Sequence, residues 1–246
     1  MEKFAATDVT ILILFRGDSI QRLENLLSVV NYICKVCETN IYIREATRFN
    51  NGILNQLLCH HIKYEFINDD DPVLHKTKHF NEMLQRVETP FVTIWDADTI
   101  AYKEEFQKCV EKLRSNEVQI AFPYNGVCLD TSEIIRELYF KNDNFSVLHN
   151  NLQKMSRLQN HILTGGAVFM NKDVFSDLGG ENEAYYGWGD DDYDRYIRFM
   201  NAGCGIYRGS TVLYHLSHPR GINSGFNSNI NQITSKGVLF KTVHKI

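Results

Sequence analysis

Long apolar runs are missing from this 246-residue chain. The longest, VTILILF at 9–15, is far shorter than the roughly 20 residues a helix needs to cross a bilayer. No membrane-spanning segment is therefore expected. The run follows Asp8 and lacks a small-residue cleavage site, so a signal peptide is not expected either. An excess of one charge sign is missing too. A formal net charge of -4 and a pI near 6.1 give no footing for a general nucleic-acid binder. The six cysteines are scattered and form no disulfide framework. Cys34 and Cys37 make one CxxC, but it lies in a helix-like segment with no second pair, which points to reduced thiols in a cytosolic protein. Internal repeats and interdomain linkers are absent, so residues 1–246 read as one domain. What remains is a globular balance, 43% apolar and 23% charged, able to fill a sizeable core.

The first half of the chain alternates strand and helix signals. VTILILF reads as a strand buried on both faces. SIQRLENLLSVVNYI (19–33) has apolar residues at helical spacing behind Ser19 as N-cap. NIYIRE (40–45), IKYEFI (62–67) and FVTIW (91–95) read as strands, with helical stretches at 52–60 and 75–87 between them. A helix at 103–114 and a strand at 117–122 continue the pattern. Repeated βα units imply a mostly parallel sheet flanked by helices. The second half is less regular. Helices are expected at 131–140 and 190–201, and strands at 165–170 and 211–216. Residues 141–163 carry many Asn and Gln, and the Gly/Asn-rich tail from 221 reads as a flexible segment, a candidate lid.

Three constellations could carry chemistry. WDAD ends the FVTIW strand with Asp96 and Asp98, where ligands of parallel sheets bind. Side chains at i and i+2 of an extended segment point the same way, and hard oxygen donors suit Mg²⁺ or Mn²⁺ bridging a phosphate. Alone, this pattern is more often a turn capping the next helix. YYGWGDDDYDRYIR (185–198) sets glycines around Trp188 before a burst of acids at a helix start. Trp188 could offer a flat face to a sugar ring, and one carboxylate could take a proton from a hydroxyl. The bland reading is an acidic helix N-terminus over a core tryptophan. LYHLSHPR (213–220) adds His215 and His218 after a late strand. The order of the three is far more specific than any one part.

At this point the chain resembles a known family: the GT-A-fold (nucleotide-diphospho-sugar transferase) glycosyltransferases, close to family 2 and to the β-1,4-galactosyltransferases. VTILILFRGDSIQRLENLL is similar to their opening strand, HKTKHFNEML to the helix before their DxD strand, and WDAD to the DxD motif. LTGGAVFMNKDVFSDLGGENEAYYGWGDDD is similar to their Gly-Gly strand and Gly-Trp-Gly-x-Glu-Asp motif, and HLSHPR to their His-containing metal motif. The resemblance implies Arg16, Lys78, Asp96 and Gly166 as contacts to the sugar nucleotide, with Asn81 at a matching position. It implies Asp98, His215 and His218 as ligands of Mn²⁺ (or Mg²⁺), without deciding which histidine is the main one. Asp192 would be the general base, and Asp191 and Trp188 would bind the acceptor. Asp191 replaces the usual Glu. NIYIRE lacks the Asp-Asp pair common in family 2, leaving Glu45 as a substitute.

The function so implied is inverting, metal-dependent transfer of a hexose, galactose or an N-acetylhexosamine, from a UDP-sugar to a glycan acceptor hydroxyl. Residues 1–100 would form the nucleotide-binding half, 101–220 the acceptor and metal half, and 221–246 the flexible segment. Asp192 is expected to have a raised pKa from burial among like charges. A non-catalytic sugar-nucleotide or carbohydrate-binding protein on the same fold is one alternative. A nucleotidyltransferase is another, but FRGDSIQRLEN has one glycine and few cations where a phosphate loop would be. No nucleic-acid partner is expected. Polysaccharide biosynthesis in the cytoplasm, with peripheral association at the inner face of the membrane, is the setting the family analogy suggests.

Overall fold

A computed structural model describes residues 2–226 and 228–245. Residues 227 and 246, part of the stretch expected to be flexible, lie outside the described residues. The first half holds β1 (Phe4–Phe15), α1 (Ile20–Val36), β2 (Cys37–Thr47), α2 (Ile53–Leu57), β3 (Lys63–Asn68), α3 (Lys76–Leu84), β4 (Phe91–Trp95), β5 (Thr99–Ile100) and α4 (Lys103–Arg114). The second half holds β6 (Ile120–Phe122), β7 (Cys128–Asp130), α5 (Glu133–Asn142), α6 (Ser146–Asn150), β8 (Ser156–Arg157), β9 (Ala167–Asn171), α7 (Lys172–Asp177), α8 (Asp191–Asn201), β10 (Ile206–Arg208), β11 (Leu213–His215) and α9 (Asn229–His244).

The expected α/β architecture is present, as a mixed sheet flanked by helices. Among the described residues, seven strands run in the order β10-β6-β9-β4-β1-β2-β3. β1 pairs parallel with β2 and β4, and β2 with β3. β9 is antiparallel to both neighbours, β4 and β6. Its apolar run marked a strand but carried no direction. β1 is buried through Val9, Ile11, Leu12, Ile13 and Phe15, which is why its sequence is continuous rather than alternating. Ser19 caps α1 by accepting from the Arg22 amide, and α1 packs Leu26, Val29, Val30 and Ile33 on the sheet.

A smaller sheet, β5-β11-β7-β8, sits at the carboxyl end of β4. Its strands are two or three residues long, too short for a periodicity signal. β11 places His215 opposite Thr99 on one side and Asp130 on the other. Residues 221–246, read as flexible from their composition, contain a 16-residue helix, α9, whose N-cap Ser228 accepts from the Asn231 amide. Ile230, Ile233 and Phe240 of α9 are exposed. Polar contacts to α8 hold the helix, so apolar spacing gave no hint of it.

The loop after β11 is anchored from α1. Asn25, fully buried, donates to the Leu216 carbonyl at 2.8 Å and accepts from Arg136 Nε at 2.8 Å. Asn25→Ala leaves the Arg136 Nε–H and the Leu216 carbonyl without this partner, and should lower unfolding stability by about 1–3 kcal/mol in urea titration.

Candidate active site

The carboxyl ends of β4 and β11 meet at the DxD turn. Asp96 N donates to the Gly166 carbonyl at 2.8 Å, and Thr99 Oγ1 donates to the same oxygen at 2.8 Å. Gly166 has φ +81°, and a Cβ there would stand 2.5 Å from Leu213 Cδ2, so this position requires glycine. Gly166 thus shapes the turn that presents both aspartates. The Asp98 carbonyl in turn accepts from Leu216 N at 2.7 Å, which ties the turn to the histidine segment.

Asp98, His215 and His218 offer ligand atoms that all lie within 4.8 Å of one another. Asp98 Oδ2 is 3.7 Å from His215 Nε2 and 3.1 Å from His218 Nε2. The two histidines are set from behind. His215 Nδ1 lies 2.7 Å from Asp130 Oδ1, and His218 Nδ1 lies 2.8 Å from the Pro219 carbonyl. With Nδ1–H donating to those oxygens, both Nε2 lone pairs turn toward the Asp98 carboxylate. Three groups so placed are satisfied either by a metal cation held among them or by protons on the imidazoles that pair with the carboxylate. The donor set, one carboxylate and two imidazoles, suits Mn²⁺ and similar ions. Burial opposes the Asp98 charge, but His215 and His218 outweigh it and hold the carboxyl well below its ordinary range. Burial would lower His215; Asp98 and Asp130 outweigh it and raise its pKa. Asp130 was not singled out from sequence, and the pairing of two three-residue strands is what brings it in.

The second corner is the start of α8. Asp191 and Asp192 occupy its first turn, where the helix dipole favours negative charge. Asp191 is 4% exposed, and its Oδ2 pairs with Lys76 Nζ at 2.8 Å. Its Oδ1 is buried with no hydrogen-bond partner among the described residues. Asp192 Oδ1 accepts from Arg195 Nη2 at 2.5 Å, while Arg195 Nη1 pairs with buried Glu181. Asp192 Oδ2 lies over Gly165, where any Cβ would collide with it.

The pKa of Asp192 differs from expectation. Burial does push it up, but Lys76 and Arg195 push harder the other way, so it is lowered. The acids of the motif repel one another as read from sequence; the two cations were not legible there. Asp191 is the raised member, pushed to about 7 mainly by burial, against the pull of Lys76. Asp96 is raised to about 6 by desolvation from the groups packed around its carboxyl, then by Asp98 and Asp192. Because Asp96 itself opens to solvent, repulsion from its neighbours is the weightier cause.

Other residues singled out from sequence are placed differently. Arg16 donates from Nε to the Ala46 carbonyl at 2.9 Å and from Nη1 to the Asp71 carbonyl at 2.7 Å, and its Nη2 pairs with Asp69. It holds the 69–72 loop. Lys78 is exposed on α3 and takes no part in the acid cluster; Lys76, two residues earlier, is the cation that does. Asn81 bonds both the N–H and the carbonyl of Glu181, at 2.7 and 2.9 Å, and so anchors the loop leading to the acids. Glu45 accepts from Tyr64 at 2.7 Å. Trp188 is half-buried and meets Phe226 edge-on, with ring centroids 4.8 Å apart.

Replacing Asp130 by Ala frees the His215 ring and should weaken Mn²⁺ binding about 10- to 100-fold in calorimetry of the whole chain. Unchanged affinity would show that His215 is oriented without it.

Two family profiles match the chain. Glycosyl transferase family 2 matches residues 59–179, and the N-terminal domain of galactosyltransferase matches residues 147–219. Between them they span Lys76, the DxD turn, both glycines, the α8 acids and both histidines. No curated protein matches the chain by sequence. Among solved structures, the mannosyltransferase PcManGT from Pyrobaculum calidifontis, in complex with GDP-Man and Mn²⁺, superposes with a TM-score of 0.53 at 15% identity. The likeness covers 87% of this chain and 58% of that one, so this chain spans little more than half of its structural relative, and what they share is the fold. The chain thus has the GT-A fold, and its sequence is similar to glycosyl transferase family 2 over 59–179 and to the galactosyltransferases over 147–219.

Proposed function

We propose that the protein is an inverting, metal-dependent hexosyltransferase that moves a sugar from a UDP-sugar to a hydroxyl of a glycan acceptor. The observation that carries this reading is the meeting, around the DxD turn, of a carboxylate–imidazole donor set with a separate carboxylate pair at the α8 N-terminus. Asp98, His215 and His218 would hold Mn²⁺ or Mg²⁺, which supplies positive charge for the departing diphosphate. GDP-Man and Mn²⁺ in the structural relative support a nucleotide-sugar donor and a divalent cation. The choice of UDP and of galactose or an N-acetylhexosamine rests on the galactosyltransferase likeness.

The chain's own residues would divide the work as follows. Asp192, kept ionised by Lys76 and Arg195, takes the proton of the attacking hydroxyl. One bond forms from that oxygen to the sugar's anomeric carbon as the bond to the diphosphate oxygen breaks. A single displacement inverts the centre and needs no covalent nucleophile. Arg195 fixes the Asp192 rotamer, and Gly165 makes room for it. Asp191, with a free buried oxygen and a pKa near neutrality, can accept from or donate to an acceptor hydroxyl. Trp188 would lie against the acceptor ring. Divergent pKa values in neighbouring acids are the pattern expected of distinct catalytic roles. Polysaccharide assembly is the biological setting proposed, with peripheral contact to a membrane where the acceptor requires it. Among the described residues, no helix is long and apolar enough to cross one.

Asp192→Asn should reduce transfer about 10²- to 10⁴-fold while leaving UDP and Mn²⁺ binding nearly unchanged. Normal turnover would remove Asp192 from the base role. Asp98→Ala should abolish the Mn²⁺-dependent part of UDP binding, read by calorimetry with and without the metal. A panel of UDP- and GDP-sugars, assayed for Mn²⁺-dependent hydrolysis, identifies the donor; turnover of GDP-mannose alone would replace the UDP assignment.

A further inference from the structure

Lys76 has no role in the reading above beyond its charge, yet its position is unusual for a lysine. It lies in the first turn of α3, and its ammonium ends among carboxylates from two other segments. It pairs with Asp191 at 2.8 Å, and Asp192 and Asp96 act on it next in strength. The polar neighbours of α3 explain why it is held there. Thr77 Oγ1 donates to the Tyr185 carbonyl at 3.1 Å, and Asn81 binds the Glu181 backbone. These contacts dock α3 against the loop that carries the acids, so the Lys76 stem has a fixed base. The net effect is one cation fixed on the acid pair in the first turn of α8.

We infer that Lys76 is a positioning residue for transfer: it is the counter-cation that fixes Asp191 and so holds the adjacent acids Asp191 and Asp192 together at the start of α8. This rests on the glycosyltransferase reading for its catalytic meaning, but not for its electrostatics. With Asp191 Oδ2 fixed by Lys76, Oδ1 is left as the free acceptor that no other residue fills. The groups acting on Asp192 are Lys76 from α3, Arg195 and Asp191 from α8, Asp96 after β4, Glu181 before the acid loop and Tyr124 after β6. Of these only Lys76 and Arg195 are cations. Arg195 pairs with Asp192 and Glu181, so Lys76 is the one whose removal leaves Asp191 without a paired cation among the described residues.

The sign of the effect follows. Without Lys76, each proton bound to Asp192 or Asp191 relieves repulsion, so both midpoints move up. The base then loses its charge at a higher pH than before, and activity fails from the acidic side first. A merely structural lysine would lower activity by the same factor at every pH.

The test has two arms, each on the full chain with Lys76→Met, Lys76→Gln and Lys76→Arg. In the first, aspartate carboxyl ¹³C signals are titrated without substrate, with Asp191→Asn and Asp192→Asn assigning the peaks. The Asp192 midpoint should rise by about one pH unit or more, a tenfold gain in proton affinity, in the Met and Gln variants and return in the Arg variant. Unmoved midpoints in a folded Met or Gln variant overturn the inference whatever the activity. In the second arm, Mn²⁺-dependent turnover of a UDP-hexose panel is followed against pH. The acid limb should move up by a similar amount in the Met and Gln variants, and the Arg variant should restore it. A uniform loss across pH overturns the positioning role. Absence of turnover by the unaltered protein with every donor defeats the proposed function instead, and the first arm then still decides Lys76.

Discussion

Charge of one sign crowds this cleft, and the rest of the site is arranged to contain it. Asp96, Asp98, Asp191 and Asp192 act on one another closely enough to move each other's protonation. Carboxylates in such proximity either take up protons or find cations. Here the compensation is split. On one side the imidazoles of His215 and His218 answer Asp98. On the other, Lys76 and Arg195 answer Asp191 and Asp192. The fold serves this division. The ends of β4 and β11 build the first half, α3 and α8 build the second, and the glycines at 165 and 166 let the two halves approach.

The pairing has a chemical consequence. Adjacent aspartates on one helical turn would be expected to titrate alike, but their partners differ. Asp191 is sealed from solvent and keeps one oxygen unbonded, so its proton is held to near neutral pH. Asp192 is more open and lies against a guanidinium, so it remains charged. In the proposed reaction the charged acid takes a proton from one hydroxyl while its neighbour orients the same sugar, with their electrostatics set before substrate binds.

Much of this was legible in the sequence, and the parts that were not share a cause. The βα alternation, the DxD turn at a strand end and the acids at a helix start follow from local patterns, which is why the α/β fold was readable from them. Both histidines were visible as candidates. The structure puts both in the same corner and leaves Nε2 of each turned to Asp98. Asp130, Lys76, Arg195 and Glu181 were missed because their importance comes from long-range pairing: a three-residue strand, one face of a short helix and a buried ion pair leave no spacing rule. Arg16 and Lys78 were matched by motif position, yet one is built into a loop and the other lies in solvent. The α9 helix was hidden by its composition, since Ser235 and Thr242 dock it through Asp190 and Asp194 rather than through an apolar face.

The proposed division of the site between a divalent ion and Lys76 is tested most directly by locating the metal. Crystals grown with MnCl₂ and UDP, measured at the manganese absorption edge, should give one anomalous peak bounded by Asp98 Oδ, His215 Nε2 and His218 Nε2. The diphosphate should meet the same ion, and the Lys76 ammonium should remain on Asp191. A peak among Asp96, Asp191 and Asp192, with Lys76 displaced, would contradict it, as would binding of UDP with no metal between the histidines.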